Sequence, residues 1–113
     1  MPNQEGQLDG VFRALSDPTR RAVLARLSSG PAAVSELARR FDMALPSFTQ
    51  HLKVLERSGL VHSRKQGRVR TYSIAPGPLE EAEAWMAERR AMWERRLDQL
   101  DDVLMQMNAK ESE

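Results

Sequence analysis

The chain contains no cysteine. Disulfides, thiolate nucleophiles, thiolate metal sites and cysteine redox sensing are therefore excluded together. Histidine is scarce: His51 and His62 are the only two. A tight transition-metal site takes three or four ligands, so neither a metal nor a cofactor is expected. No apolar run approaches the roughly 18 residues that a membrane span needs, and no membrane partner is expected. The opening segment MPNQEGQLDG lacks the basic and apolar stretches of a secretory signal. With the missing thiols, this gives the expectation of a cytoplasmic protein. There is no nucleophile–base arrangement and no Gly-rich phosphate loop. The acidic runs Glu80-Glu81-x-Glu83 and Asp101-Asp102 are explained as solvated helix faces. The expected protein is not an enzyme.

What is present suits one small domain: 113 residues, 41% apolar and 29% charged. The net charge of +1 hides a division. Residues 1–75 carry 12 Lys and Arg against 6 Asp and Glu, whereas residues 76–113 carry 5 against 10. A basic body with an acidic tail suggests a front part that faces a polyanion and a rear part with another task.

Hydrophobic periodicity supplies the organisation. Residues 1–7 have no pattern and are expected to be disordered. Leu8, Val11, Phe12 and Leu15 recur at helical spacing. Asp17 can cap a second helix that starts at Pro18, with Val23, Leu24 and Leu27 as its inner stripe. Ser28 to Pro31 closes it, and Ser35 can cap a short third helix with Leu37, Ala38 and Phe41 turned inward. After a break at 42–45, Pro46 opens a fourth helix with Phe48, Leu52 and Leu55 on one face, and Gly59 ends it. Two strand-like runs, 60–65 and 69–74, joined across Gln66-Gly67-Arg68, read as a β-hairpin. Residues 75–78 read as a linker, and from Leu79 to about Met107 neither Pro nor Gly interrupts a long helix. The expected fold is mainly α with a small β-hairpin: a winged helix-turn-helix DNA-binding domain at 8–75, then a C-terminal dimerisation helix and frayed tail at 76–113.

The fourth helix turns Gln50, Lys53 and Arg57 away from its core stripe, flanked by Ser47 and Thr49. Gln can pair with adenine, Ser and Thr serve base edges or phosphates, and Lys neutralises phosphate. Residues 64–72 hold four basic side chains, Arg64, Lys65, Arg68 and Arg70, and no acid. Such a tip fits a phosphate backbone or a minor groove. Arg20 is a further candidate for phosphate contact. Double-stranded DNA is the expected partner.

The run Ala14-Leu15-Ser16-Asp17-Pro18-Thr19-Arg20-Arg21 resembles the opening signature of the ArsR family of bacterial winged-helix regulators. Val34-Ser35-Glu36-Leu37-Ala38, His51-Leu52-Lys53-Val54-Leu55-Glu56 and Ser58-Gly59-Leu60-Val61 resemble its helix-turn-helix, and Gly67-Arg68 with Tyr72-Ser73-Ile74 resembles its wing. The resemblance implies a homodimer that represses transcription at an inverted-repeat operator, often its own promoter, with recognition contacts on residues 47–53. Ala44 stands where members often carry a capping Ser. The stretch 37–41 lacks the cysteine ligands of the founding members, and the last helix has no His for their alternative site. The resemblance is therefore to a subgroup without cysteine metal ligands.

Along the last helix Leu79, Met86, Trp93, Leu100 and Met107 fall every seven residues, with Arg90, Leu97 and Leu104 in the interleaved series. This is a coiled-coil-like seam with one polar break. Trp85 widens it, and Leu8 and Phe12 are expected to join it in a homodimer interface. Two other functions stay open from sequence. The Met and Trp side chains of the tail could line a pocket for a small-molecule effector, or the winged helix could serve as a module that binds a protein partner.

Overall fold

A computed structural model describes residues 4–111 of the chain. Along it run α1 (Gln4–Leu15), α2 (Pro18–Leu27), β1 (Ala32–Ala33), α3 (Val34–Ala38), α4 (Leu45–Arg57), β2 (Val61–Gln66), β3 (Val69–Ile74) and α5 (Pro76–Glu111). The architecture is a winged helix-turn-helix: mostly helical, with a small antiparallel sheet and a long C-terminal helix. Two compact units divide it, one ending at Ala82 and the other starting at Glu83.

The first unit closes around one core. Val11 and Ala14 of α1, Val23, Leu24 and Leu27 of α2, Leu37 of α3 and Phe48, Leu52 and Leu55 of α4 are all buried in it. Tyr72 of β3 and Ala82 of α5 complete the cluster from the sheet and the last helix. The inner stripes read from the sequence for α2 and α4 are thus the stripes that pack, whereas Phe12 of the α1 stripe is exposed. Phe41 lies just past α3, yet its ring stacks on Phe48 with centroids 5.2 Å apart. That contact bridges the turn between the two helices of the motif.

The end of α4 shows why Gly59 is needed. The Leu60 N–H donates to the Leu55 carbonyl at 3.1 Å and the Gly59 N–H to the Glu56 carbonyl at 3.0 Å. This double closure puts the residue after the cap in the left-handed region, and Gly59 has φ +78°. A Cβ there would also meet Pro78 Cγ at 3.2 Å. The chain then enters the sheet, where β2 pairs antiparallel with β3 from Val61 opposite Ile74 to Gln66 opposite Val69.

Four local expectations need correction. Residues 4–7, expected to be disordered, continue α1. Once the stripe at Leu8, Val11 and Leu15 nucleates a helix, each added residue gains a hydrogen bond for one residue's freedom, so the helix extends backwards. Met1, Pro2 and Asn3 of that segment lie outside the described residues. Ser35 is not the cap of α3. That position belongs to Ala33, which offers no side-chain acceptor. Residues 76–78 are not a linker but the first turn of α5. Proline is tolerated there because the first helical N–H groups have no intrahelical partner. Finally, Ala32–Ala33 add a third strand, with Ala32 opposite Tyr72 and Ala33 opposite Thr71.

From Glu83 onwards the helix carries most of its large apolar side chains in the open, Met92 being half-buried. Trp85, Met86, Trp93, Leu97, Leu100 and Leu104 are all exposed, Trp93 by 61%. The Arg89 guanidinium lies over the Trp85 ring, 4.9 Å from its centroid.

Because Phe48 is fully buried and stacked, Phe48→Ala should destabilise the fold by about 3–5 kcal/mol. Urea unfolding followed by circular dichroism would measure it. A cost under about 1 kcal/mol would mean that the core does not rest on α4.

Candidate nucleic-acid interface

Two elements of the first unit carry the side chains singled out from the sequence. The first is α4. Burying Phe48, Leu52 and Leu55 leaves Ser47, Gln50, Lys53 and Arg57 exposed to solvent. Thr49 behaves differently from the rest: its hydroxyl donates to the Leu45 carbonyl at 2.8 Å. The proton expected to serve DNA is thus taken up by the helix itself. At the N-terminus of α4, Ala44 provides no capping side chain and the first turn holds no acid.

The second element is the β2–β3 hairpin. Its two-residue turn places Gly67 at φ +63°, the first central position of a hairpin turn, where glycine carries no Cβ penalty. Arg64, Lys65, Arg68 and Arg70 are all exposed. Lys65 lies directly opposite Arg70 in the ladder. Like charges facing each other across a pair of strands destabilise it. Among the described residues no acid pairs with Arg64, Lys65 or Arg68. The base of the hairpin is fixed to α4 by a relay: Arg70 Nη1 donates to Ser63 Oγ at 2.7 Å, and Ser63 Oγ donates to Glu56 Oε1. Since Ser63, Lys65 and Arg70 share one sheet face, the relay turns the Lys65 and Arg70 side towards α4. Beneath it Tyr72 is buried, and burial followed by the Glu56 charge pushes its phenol above the ordinary value.

Arg20 lies elsewhere, and its role differs from the expected phosphate contact. Its Nε donates to the Ala14 carbonyl at 2.8 Å and its Nη2 to the Arg13 carbonyl at 3.1 Å. Its Nη1 lies 3.1 Å from His51 Nδ1 on α4. Arg21 Nη1 donates to the Leu15 carbonyl at 2.7 Å. The two arginines therefore satisfy the open carbonyls that end α1, where a cation also meets the negative end of the helix dipole. Arg20 then extends the clasp to α4. Arginine spacing from a helix start carries no sign of this, because the acceptors belong to the preceding helix.

Asp17 completes the clasp. Its carboxylate accepts the Arg20 backbone N–H at 3.0 Å and lies 3.6 Å from His51 Nδ1. Burial is the largest single influence and pushes its pKa up. The Arg20 N–H, the neighbouring His51 and Arg20 charges and the Thr19 N–H together outweigh it, so the carboxyl lies below the usual value. The second histidine is engaged as well, with His62 Nε2 2.9 Å from Ser73 Oγ. Of the remaining candidates, Leu8 is half-buried and packed against the core, whereas Phe12 is 36% exposed.

A helix-turn-helix domain family matches residues 15–64. The HTH-type transcriptional regulator Rv2034 of Mycobacterium tuberculosis is 46% identical over 71 residues, which make up 63% of this chain and 66% of that protein. The transcriptional repressor SdpR of Bacillus subtilis is 32% identical over 79 residues, 70% of this chain and 88% of that protein. A crystal structure of an ArsR family transcriptional regulator superposes with a TM-score of 0.77 at 58% identity, covering 83% of this chain and 97% of that one. This chain belongs to the ArsR family. It is a transcriptional regulator of the winged-helix type and not an enzyme. A second structure of this kind, described as a homodimeric winged helix-turn-helix DNA-binding domain from Mycobacterium bovis, matches with a TM-score of 0.59 at 28% identity, covering 80% of this chain and 82% of that one. Against the family pattern, Ala44 leaves α4 without a side-chain cap, and the first turn instead relies on Pro46.

Asp17→Ala should cost about 1 kcal/mol at neutral pH, the usual worth of a helix N-cap. A carboxyl whose folded pKa is lowered stabilises the fold above its unfolded value near 4 and stops doing so as the pH falls through the folded value. The stability gap between wild type and Asp17→Ala should therefore narrow as the pH falls below about 4. Thermal melts from about pH 5 to about pH 2 would show it. A gap that stays undiminished over that range would contradict the capping role.

Proposed function

We propose that this protein is a sequence-specific, homodimeric transcriptional repressor that binds an inverted-repeat operator, including one at its own promoter, in the cytoplasm. The observation that carries the reading is the hairpin of four exposed cations, two of them directly opposed, beside a helix whose exposed face holds Ser47, Gln50 and Lys53. Opposed cations weaken a hairpin on its own, and a polyanion removes that penalty. In this reading α4 enters a major groove, Gln50 reads a base edge, and Arg64, Lys65, Arg68 and Arg70 lie on the adjacent backbone or minor groove. The family membership and the likeness to a named repressor support the same assignment.

Homodimerisation is supported by the open apolar row on α5. Trp85, Met86, Trp93, Leu97, Leu100 and Leu104, with Phe12 of α1, form the proposed contact with a second copy. Dimerisation sets two recognition helices about one turn of DNA apart. The repressor reading is metal-independent because the chain has no cysteine and both histidines already hold partners within the fold.

Fluorescence anisotropy on the upstream DNA and on a shuffled duplex, over a salt series, tests the reading. With six to ten phosphates neutralised per dimer, log affinity should fall against log salt with a slope of roughly −5 to −9. Arg68→Ala should weaken binding to all duplexes and flatten the slope by about one per protomer, whereas Gln50→Ala should erode sequence preference. Absence of binding at low salt would overturn the proposal, and uniform losses for both variants would remove base reading from Gln50. A chelator should change none of these values.

The dimer can be tested separately. The double variant Leu97→Glu, Leu100→Glu puts charges into the proposed seam and should convert the dimer to a monomer in light scattering after gel filtration. Specific DNA affinity should drop at least tenfold. A variant that remains dimeric would place the contact elsewhere.

A further inference from the structure

Leu45 is the first residue of α4, and it is 57% exposed although every other leucine of that helix is buried. Its neighbours Ala44 and Pro46 are exposed too. The leading turn of the recognition helix therefore shows solvent an apolar surface where a helix start usually carries polar, capping side chains. One turn later, at the i+4 position, Thr49 lies above Leu45 on the same stripe. The Thr49 hydroxyl is held at 2.8 Å by the Leu45 carbonyl. This bond engages the hydroxyl proton, and the γ-methyl is the apolar group of Thr49 on the stripe it shares with Leu45.

We infer that Leu45 and the Thr49 methyl form an apolar reader of thymine methyl groups in the major groove. The inference rests on the DNA-binding reading above and adds a specificity determinant to it. N-terminal residues of a recognition helix are the ones that meet base edges. In the major groove the C5-methyl of thymine is the one apolar group that a base pair presents, and apolar side chains contact it. The exposed part of Leu45 gains nothing for the fold while it stays in water. Covering it with a thymine methyl removes apolar surface from solvent on both partners. Each half-site should then carry a thymine whose methyl group matters, at the position facing the start of α4.

The test uses the full-length protein. A duplex selected from a random library by the wild type is resynthesised with each thymine in turn replaced by deoxyuridine, which deletes the methyl and keeps the base pair. At one thymine per half-site, deoxyuridine should weaken wild-type binding about fourfold, the effect of returning one methyl group to water, and about fifteenfold when both half-sites are changed. Leu45→Ala, at an exposed position, should bind the thymine and deoxyuridine duplexes alike while keeping the wild-type salt slope. Thr49→Ser, which retains the hydroxyl bond and lacks the methyl, should lose part of the thymine preference. If the wild type selects a site yet tolerates deoxyuridine everywhere, or if Leu45→Ala keeps the full thymine preference, this inference fails and the repressor reading stands. If the wild type selects no site at all, both fail.

Discussion

The burial of one face of α4 is the constraint on which the rest of the molecule depends. Phe48, Leu52 and Leu55 are all but inaccessible to solvent, so the helix has no freedom to roll about its axis. A roll of one residue would bring Gln50 or Lys53 towards the core and expose Phe48, at a cost of several kcal/mol for the buried ring alone. The same packing that stabilises the fold therefore selects the side chains that face outwards. Three further contacts fix the helix along its length. The Phe41 ring closes over its start, the Arg20–His51 contact holds its middle, and the Glu56–Ser63–Arg70 relay joins its end to the hairpin. A reading surface and a wing with fixed mutual geometry follow from these contacts, and all of them lie within the first unit.

The hairpin shows where stability gives way to function. An isolated pair of strands is marginal even with favourable cross-strand pairs. Here Lys65 faces Arg70, and Arg68 occupies the turn. Two devices offset the repulsion. Glycine at φ +63° makes the turn without strain, and the Ser63 hydroxyl gives Arg70 a neutral oxygen that is itself bonded to a carboxylate. The third strand adds to this by covering the far edge of β3 at Ala32 and Ala33. Only the terminal part of the hairpin remains charged and unpaired.

Much of this was legible in the residue pattern because it depends on period and punctuation. The inward stripes of α2 and α4, the Asp17 cap, the Gly59 closure and the glycine turn of the hairpin each follow from a local rule, and each lies where the rule places it. The features that escaped have non-local causes. Two alanines have no strand preference, and Ala32–Ala33 become a strand because the free edge of β3 lies beside them. Residues 76–78 look like a linker by composition, yet a helix accepts both prolines in its first turn. Arg20 and Arg21 resemble phosphate ligands until the carbonyls that end α1 are seen beneath them. Leu45 falls in what reads as a break before Pro46, yet it is the first residue of α4, where a side chain can overhang the core its helix packs on.

The distribution of chemistry on the interface also bears on why a second copy matters. Gln50 is the one exposed amide of α4, and in the proposed reading its bidentate contact with adenine would discriminate by about 1–3 kcal/mol. A useful gap between specific and non-specific sites is about 4–10 kcal/mol. One protomer with one amide falls short of that range, and hairpin cations that rest on phosphates would carry no sequence information, whereas any in a minor groove would sense its width. In the proposed dimer, doubling the amide contact would bring the sum to about 2–6 kcal/mol, which overlaps only the lower part of the range. In this reading the remainder would come from the other exposed groups of α4, with Lys53 and Arg57 able to read guanine and the apolar turn at its start able to meet thymine methyls. In this reading dimerisation and the apolar leading turn would add to what a single amide discriminates, and the basic wing would add affinity.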